Sequence, residues 1–312
     1  MPTFAFVFPG QGSQAVGMLD AWGDHPVVRQ TLQEVSSALG EDFARLIHEG
    51  PKERLDLTTN TQPVMLAAGI ACYRAWLAET RLVPSVVAGH SLGEYSALVA
   101  AGTLTLADAL SLVRFRAQAM QDAVPVGVGA MAAILGLDAQ AVRDGCAEVA
   151  AATGEAVEAV NFNDPKQTVI AGTKAGVERA CEVLKANGAK RALPLPVSAP
   201  FHSSLMKPAA ERLRARLADT AFATPQIPVV NNIDVKIETD IAAIRDALYR
   251  QAFGPVRWVE TVQAIRARGV SHIIECGPGK VLAGMVKRID AQAVTGAVLD
   301  RQSLAEVKEL LA

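Results

Sequence analysis

Residues 85–95 read Ser85-Val86-Val87-Ala88-Gly89-His90-Ser91-Leu92-Gly93-Glu94-Tyr95. The run from Ser85 to Ala88 has strand character, and an alanine-rich helical pattern follows Gly93. Glycines flanking the serine at 89 and 93 permit a tight turn that bulkier residues would block. A Gly-x-Ser-x-Gly segment between a strand and a helix is the setting in which a nucleophile elbow exposes a serine hydroxyl. The alternative is a plain helix start with Ser91 as its cap, which these residues alone leave open.

On the N-terminal side, Thr3 to Phe8 is a second strand. It meets the loop Pro9-Gly10-Gln11-Gly12-Ser13-Gln14, and helical patterns continue to Thr80. Strands that alternate with helices predict a parallel α/β sheet. Beyond the elbow the order changes: strand at Ala130–Leu135, helix from Asp138 to about Ala152, strands at Val157–Phe162 and Gln167–Ala171, helix at Thr173–Asn187, strand at Arg191–Pro196. That β-α-β-β-α-β order is the split motif of ferredoxin-like domains. The expected architecture is therefore a large α/β-hydrolase-like domain of residues 1–126 and 197–312, interrupted by a ferredoxin-like insertion at 127–196. Val229 to Asn231 and His272 to Cys276 are the later strands, the second turning through Gly277-Pro278-Gly279-Lys280 into another helix.

The 312 residues carry 30 basic and 32 acidic side chains, a net charge of −2. So even a balance without a dense basic run argues against nucleic acid or an anionic membrane as partner. The longest uncharged apolar stretch, Ala123 to Leu137, is broken by Pro125, Gly127 and Gly129 and falls short of the roughly 18 residues of a membrane span. No basic leader or cleavage site opens the chain, so a cytoplasmic location is expected. Cys72, Cys146, Cys181 and Cys276 are far apart with no Cys-x-x-Cys pair, which predicts reduced thiols and no metal site.

A serine hydroxyl needs a base, and five histidines are available. His25 precedes Pro26 in a surface-like segment, His48 lies among charges, His272 opens an apolar strand, and His90 adjoins the serine with its ring expected to point elsewhere. His202 lies in the loop Ser198-Ala199-Pro200-Phe201-His202-Ser203, between a strand and a helix, and is the leading candidate; a histidine satisfied by local backbone contacts is the other reading. The N–H of Leu92 at the helix start would face a developing oxyanion, with a second donor required from another loop. Gln11 lies in a glycine-flanked loop whose backbone can approach a ligand, or which is simply a tight turn. The helix from Thr105, with Asp108 as capping partner, places Arg116 on the same face as Ala109, Leu112, Val113 and Met120, whereas Arg114 shares the opposite side with Ser111, Gln118 and Gln121 and is expected in solvent. A guanidinium in an apolar stripe needs an anion, either a protein carboxylate or that of a substrate.

Taken in order, several segments resemble the malonyl-CoA:acyl carrier protein transacylases, the loading enzymes of fatty-acid synthesis. They are Phe8 to Gln14, Gly89 to Tyr95, Arg116 with Met120-Gln121, Gly129-Ala130-Met131-Ala132-Ala133, Val160-Asn161-Phe162-Asn163, Pro200-Phe201-His202-Ser203, Val230-Asn231-Asn232, Arg250-Gln251 and Gly277 to Lys280. The resemblance spans essentially the whole chain. It implies that Ser91 is the acylated nucleophile, that His202 is its base, and that the backbone carbonyl of Gln251 holds the histidine's other nitrogen. It further implies that Gln11 and Leu92 supply the oxyanion N–H groups, that Arg116 pairs with the malonyl carboxylate, and that Phe201 narrows the acyl pocket. Ala117 and Gly254 replace a glycine and an asparagine frequent in the family. No cofactor is implied. The expected partners are acyl carrier protein and a coenzyme A thioester, with the chain acting as a monomer. Lys190-Arg191 and Lys287-Arg288 are candidate carrier contacts. A polyketide acyltransferase, a serine thioesterase or esterase, and a noncatalytic acyl-binding module are the alternatives on the same scaffold.

Overall fold

A computed structural model describes every residue except Met1, Val126 and Ser198. The ends of the expected segment 1–126 and the first residue of the histidine loop thus lie outside the described residues. Among the described residues, nine strands follow in chain order: β1 (Phe4–Phe8), β2 (Val86–Gly89), β3 (Gly129–Leu135), β4 (Val157–Asp164), β5 (Gln167–Thr173), β6 (Arg191–Pro194), β7 (Val229–Val230), β8 (His272–Cys276) and β9 (Val294–Val298). They form two sheets. One has the order β7-β2-β1-β8-β9 with all pairs parallel. The other has the order β4-β5-β3-β6 with all pairs antiparallel.

The centre of the parallel sheet shows why it is covered on both faces. Phe4, Phe6 and Phe8 of β1 enter one core and Ala5 and Val7 enter the other, and all five are buried. Tyr73 and Trp76 of the helix Thr58–Thr80 meet the phenylalanine face edge-on, with ring centroids 5.5 to 6.1 Å apart. Each buried phenylalanine contributes about 1.5 to 3 kcal/mol. The opposite face packs under the helices Trp258–Ala267 and Val281–Ile289. A strand buried on both faces is a near-continuous apolar run, as Phe4 to Phe8 is.

In the antiparallel sheet, the helices Ala139–Thr153 and Lys174–Ala186 follow β3 and β5, and their apolar sides form a separate core with Ala132, Ile134 and Ile170. The order β-α-β-β-α-β is ferredoxin-like. The local chemistry of the helix starts is direct: Asp138 accepts from the Ala141 N–H at 2.9 Å, and Thr173 from the Gly176 N–H at 3.1 Å.

Three features depart from the sequence pattern. β9, at the sheet edge, is a strand that the apolar pattern does not announce, because Gly296 interrupts its five residues. β6 ends at Pro194 rather than Pro196: the Leu195 N–H still donates to Met131 O at 2.9 Å, and Pro196 has no N–H to continue the ladder. Arg114 is not free in solvent: it donates to Thr59 O and Asn60 Oδ1, both at 2.8 Å, and pairs with Glu41. The periodicity of one helix reports its apolar face but not the neighbour that lies against its polar one.

The elbow glycines are sterically required. A Cβ at Gly89 would lie 1.9 Å from the Gly93 backbone, and one at Gly93 would lie 2.1 Å from the Phe8 carbonyl oxygen. Gly93→Ala is expected to destabilise the fold by more than about 2 kcal/mol, because backbone and not a flexible side chain must move. Thermal denaturation checks this, and a variant that melts with the wild type would contradict it.

Candidate active site

Parallel strands deliver all their C-terminal ends to one edge of a sheet, where α/β proteins bind ligands. The loops after β1, β2 and β7 therefore lie side by side, carrying Gln11, Ser91 and Asn232 respectively. After β2 the chain reverses through Ser91 at φ 53°, a left-handed conformation that costs a non-glycine residue about 1 to 3 kcal/mol. Two amides hold it there. The Ser91 N–H donates to Asn232 Oδ1 at 2.7 Å while Asn232 Nδ2 donates to Gly89 O at 2.7 Å. Gln251 Nε2 donates to Ser91 O at 3.0 Å.

His202, also left-handed at φ 65°, reaches the same point from a buried loop. Its Nε2 is 2.6 Å from Ser91 Oγ, and its Nδ1 is 2.9 Å from the Gln251 carbonyl oxygen. A carbonyl only accepts, so Nδ1 carries the proton and Nε2 turns its lone pair to the serine hydroxyl. Within the loop, Ser203 Oγ donates to Pro200 O at 2.7 Å, and the Ser204 N–H donates to Glu158 on β4 at 3.1 Å. Burial, with the Arg116 cation nearby, pushes the His202 pKa down to about 3. The imidazole is therefore uncharged near neutral pH.

Arg116 is 2% exposed and lies at the same cleft. Nη1 donates to Gln62 Oε1 at 2.8 Å, and Nη2 donates to Gln251 Oε1 at 3.1 Å and to Ser91 Oγ at 3.3 Å. Among the described residues Nε meets no hydrogen-bond acceptor, and the Tyr95 ring lies 5.5 Å from the guanidinium carbon. Among the described residues no carboxylate forms an ion pair with this guanidinium; neutral amides and a hydroxyl hold it instead. Gln11, Leu92 and Phe201 line the cleft on the parallel-sheet side, and Met131 of β3 and Asn161 of β4 close it from the antiparallel sheet. The backbone N–H groups of Gln11 and Leu92 donate to no acceptor among the described residues.

The remaining histidines are occupied elsewhere. His90 Nε2 lies 2.8 Å from Asn163 Oδ1, with its ring 5.5 Å from Trp258. His25 is not at the surface: it is buried edge-on against Trp22. His48 pairs with Asp20, and His272 Nδ1 lies 2.8 Å from Ser271 Oγ. Of the basic pairs, Lys190 and Arg191 are exposed, Arg288 is bound to Asp164 at 2.6 Å, and Lys287 donates to the carbonyls of Ala291 and Ala293. Residues that the motifs alone did not assign to the site are Gln62, Glu94 and Asn232. The available signal was a polar side chain inside a buried, apolar helix for the first two; for Asn232 there was none outside the resemblance.

A parallel α/β sheet that ends in a strained serine turn, with a histidine lone pair on the hydroxyl and unpaired N–H groups beside it, defines a serine enzyme of acyl transfer. The chain belongs to the malonyl CoA-acyl carrier protein transacylase family of acyltransferases: the family model described as the acyl transferase domain matches residues 5–300. It is 53% identical over 311 residues to the malonyl CoA-acyl carrier protein transacylase of Escherichia coli (strain K12), covering 99% of this chain and all of that protein. The fold superposes on the acyl-carrier-protein S-malonyltransferase of Burkholderia pseudomallei 1710b with a TM-score of 0.97 at 65% identity, over 98% and 99% of the two chains. It superposes equally well, at 0.97 and 52% identity over 99% of each chain, on a malonyl-transacylase solved in complex with a type II polyketide acyl-carrier protein.

An unfolded histidine takes up its proton near its ordinary value of 6.5, whereas folded His202 does so only near 3. Between these values the unfolded chain binds more protons, so this histidine makes the native state less stable as pH falls from 6.5 toward 3. Labelling of Ser91 by a neutral fluorophosphonate is expected to keep a constant rate from about pH 8 to about pH 5, because the base stays unprotonated throughout. A rate that halves near pH 6.5 would show an ordinary histidine instead.

Proposed function

We propose that the enzyme transfers a malonyl group from malonyl-CoA to the phosphopantetheine thiol of acyl carrier protein through a malonyl ester of Ser91, supplying malonyl-acyl carrier protein for fatty-acid elongation. The observation that carries this is the Arg116 guanidinium, buried within hydrogen-bond reach of the nucleophile and, among the described residues, in direct ion-pair contact with no carboxylate. Hydrolysis of a simple ester has no use for such a cation; a dicarboxylic acyl group does. The names of the relatives support the same substrate pair, and the polyketide carrier bound to one of them leaves the class of carrier open to more than one pathway.

Ser91 Oγ attacks the thioester carbonyl as His202 Nε2 takes its proton. The C–S bond breaks, and coenzyme A leaves as the thiol with that proton. The carrier thiol then gives its proton to His202 and attacks the ester; the C–O bond breaks, and His202 returns the proton to Ser91 Oγ, which is free again. Both tetrahedral intermediates place their oxyanion between the Gln11 and Leu92 N–H groups, each worth about 100- to 1000-fold in rate. The Gln251 carbonyl keeps His202 in the right tautomer. The thioester itself supplies the activation, so the scheme needs no cofactor or metal. Phe201 limits the width of the acyl pocket. One chain carries every group in the scheme, in keeping with a monomer. Residues 1–126 and 197–312 form the catalytic domain, and 127–196 the insertion that roofs the cleft. A cytoplasmic location belongs to the same reading; among the described residues no helix is long and apolar enough to cross a membrane.

Intact-mass spectrometry after malonyl-CoA is expected to show a malonyl adduct on Ser91 that added carrier protein removes. An adduct that fails to form, or that water removes as fast as the carrier does, would contradict transfer. Arg116→Ala is expected to lose about 30- to 1000-fold of the preference for malonyl-CoA over acetyl-CoA, equivalent to about 2 to 4 kcal/mol. Competition between the two thioesters measures it, and an unchanged ratio would remove Arg116 from the acyl site.

A further inference from the structure

Behind the elbow lies a carboxylate that this scheme leaves unused. Glu94 is 2% exposed, and its Oε2 accepts from the Asn232 N–H at 2.9 Å and from Gln251 Nε2 at 3.0 Å. The other end of the same Gln251 amide, Oε1, accepts from Arg116. A single amide thus stands between a buried cation and a buried anion. Its orientation is dictated by both, since a carboxylate only accepts and a guanidinium only donates. The other titratable or charged groups around Glu94 are Tyr95, Asp234, Glu238 and His202. Tyr95 places its ring 5.5 Å from the Arg116 guanidinium, Asp234 is neutralised by Arg250 at 2.6 Å, and Glu238 lines a small cavity shared with Glu94. His202 is neutral and meets the main-chain carbonyl of Gln251 through Nδ1.

We propose that Glu94, acting through the Gln251 amide, is the counter-charge of Arg116 while the acyl pocket is empty, and that it takes up a proton when the carboxylate of the arriving acyl group pairs directly with the guanidinium. The proposal rests on the malonyl reading above. Two buried carboxylates around one buried cation leave a negative charge uncompensated in a dry site. Protonating Glu94 removes that charge, and its carbonyl oxygen still accepts both hydrogen bonds. Burial already holds this carboxyl up at about 7, so the proton is available near neutral pH. Acyl transfer from thioester to serine, with coenzyme A released as the thiol, neither consumes nor liberates a proton below the thiol range near 8.5. Any net uptake on loading therefore reports a protein group.

Loading of the wild-type enzyme in weak buffer, followed with a pH indicator, is expected to take up about half a proton per Ser91 at pH 7 with malonyl-CoA, because a group with its pKa near ambient pH is half ionised. Acetyl-CoA, driven to load at high concentration, is expected to take up none. Because uptake accompanies malonyl loading, the malonyl-over-acetyl preference should rise as pH falls from about 8 to about 6. Glu94→Gln keeps the accepting oxygen and loses only the charge, so it should abolish the uptake and flatten that rise. Equal uptake with both thioesters, no uptake with either, or uptake that persists in Glu94→Gln would overturn the proposal. If that variant does not fold, the comparison of the two thioesters on the wild type decides alone. The two readings fail separately. Arg116→Ala with an intact malonyl preference sinks the substrate reading, whereas Arg116→Ala with a lost preference and a wild type that takes up no proton sinks only the role of Glu94.

Discussion

The turn at Ser91 puts a non-glycine residue into left-handed backbone at the end of a buried strand, and the rest of the active site exists to hold it there or to use it. The turn closes only because Gly89 and Gly93 let strand and helix approach to distances that no Cβ would tolerate, with Gly93 set against the Phe8 carbonyl of the neighbouring strand. Sheet packing therefore fixes where the hydroxyl points. Strain of this kind persists where the surroundings over-determine it. Here Asn232 uses both ends of its amide on the turn, and Gln251 ties the serine carbonyl to the helix that also supplies the carbonyl for His202.

The same closeness makes the electrostatics of the site a shared property. Arg116, Glu94 and His202 are each nearly removed from water. In such surroundings a charge either finds an opposite charge or shifts its proton equilibrium. Arg116 cannot shed its proton; burial, helped by that cation, keeps the imidazole neutral, while burial draws the Glu94 carboxyl up toward neutral pH against the pull of the same cation. Two neutral amides, Gln62 and Gln251, accept from Nη1 and Nη2 of the guanidinium and are weaker partners than a carboxylate. They hold the cation in place at the wall of the cleft.

The antiparallel sheet contributes more than a roof. Met131 and Asn161 close the cleft, Glu158 anchors the residue two beyond His202, and Asn163 holds the His90 ring away from the serine. The position of the His202 imidazole therefore depends on packing between two sheets whose strands are separate in sequence.

Local pattern was enough for much of this. The apolar run of β1, the Gly-x-Ser-x-Gly turn, the caps at Asp138 and Thr173, and the β-α-β-β-α-β order all follow from short-range chemistry that neighbouring residues impose on one another. The apolar stripe of the helix Leu106–Ala123 likewise marked Arg116 as a cation on a buried face. What the chain order does not contain is distance between remote segments. The meeting of Ser91 with His202 across 111 residues, the occupation of Arg114 by Glu41 and Asn60, the burial of His25 and the link from Arg116 through Gln251 to Glu94 are products of how helices and strands pack. Hydrogen bonding and dihedral preference act between near neighbours and are written in the sequence. Burial, and with it the charge state of every group in the cleft, is a property of the surrounding volume, and only the folded chain has one.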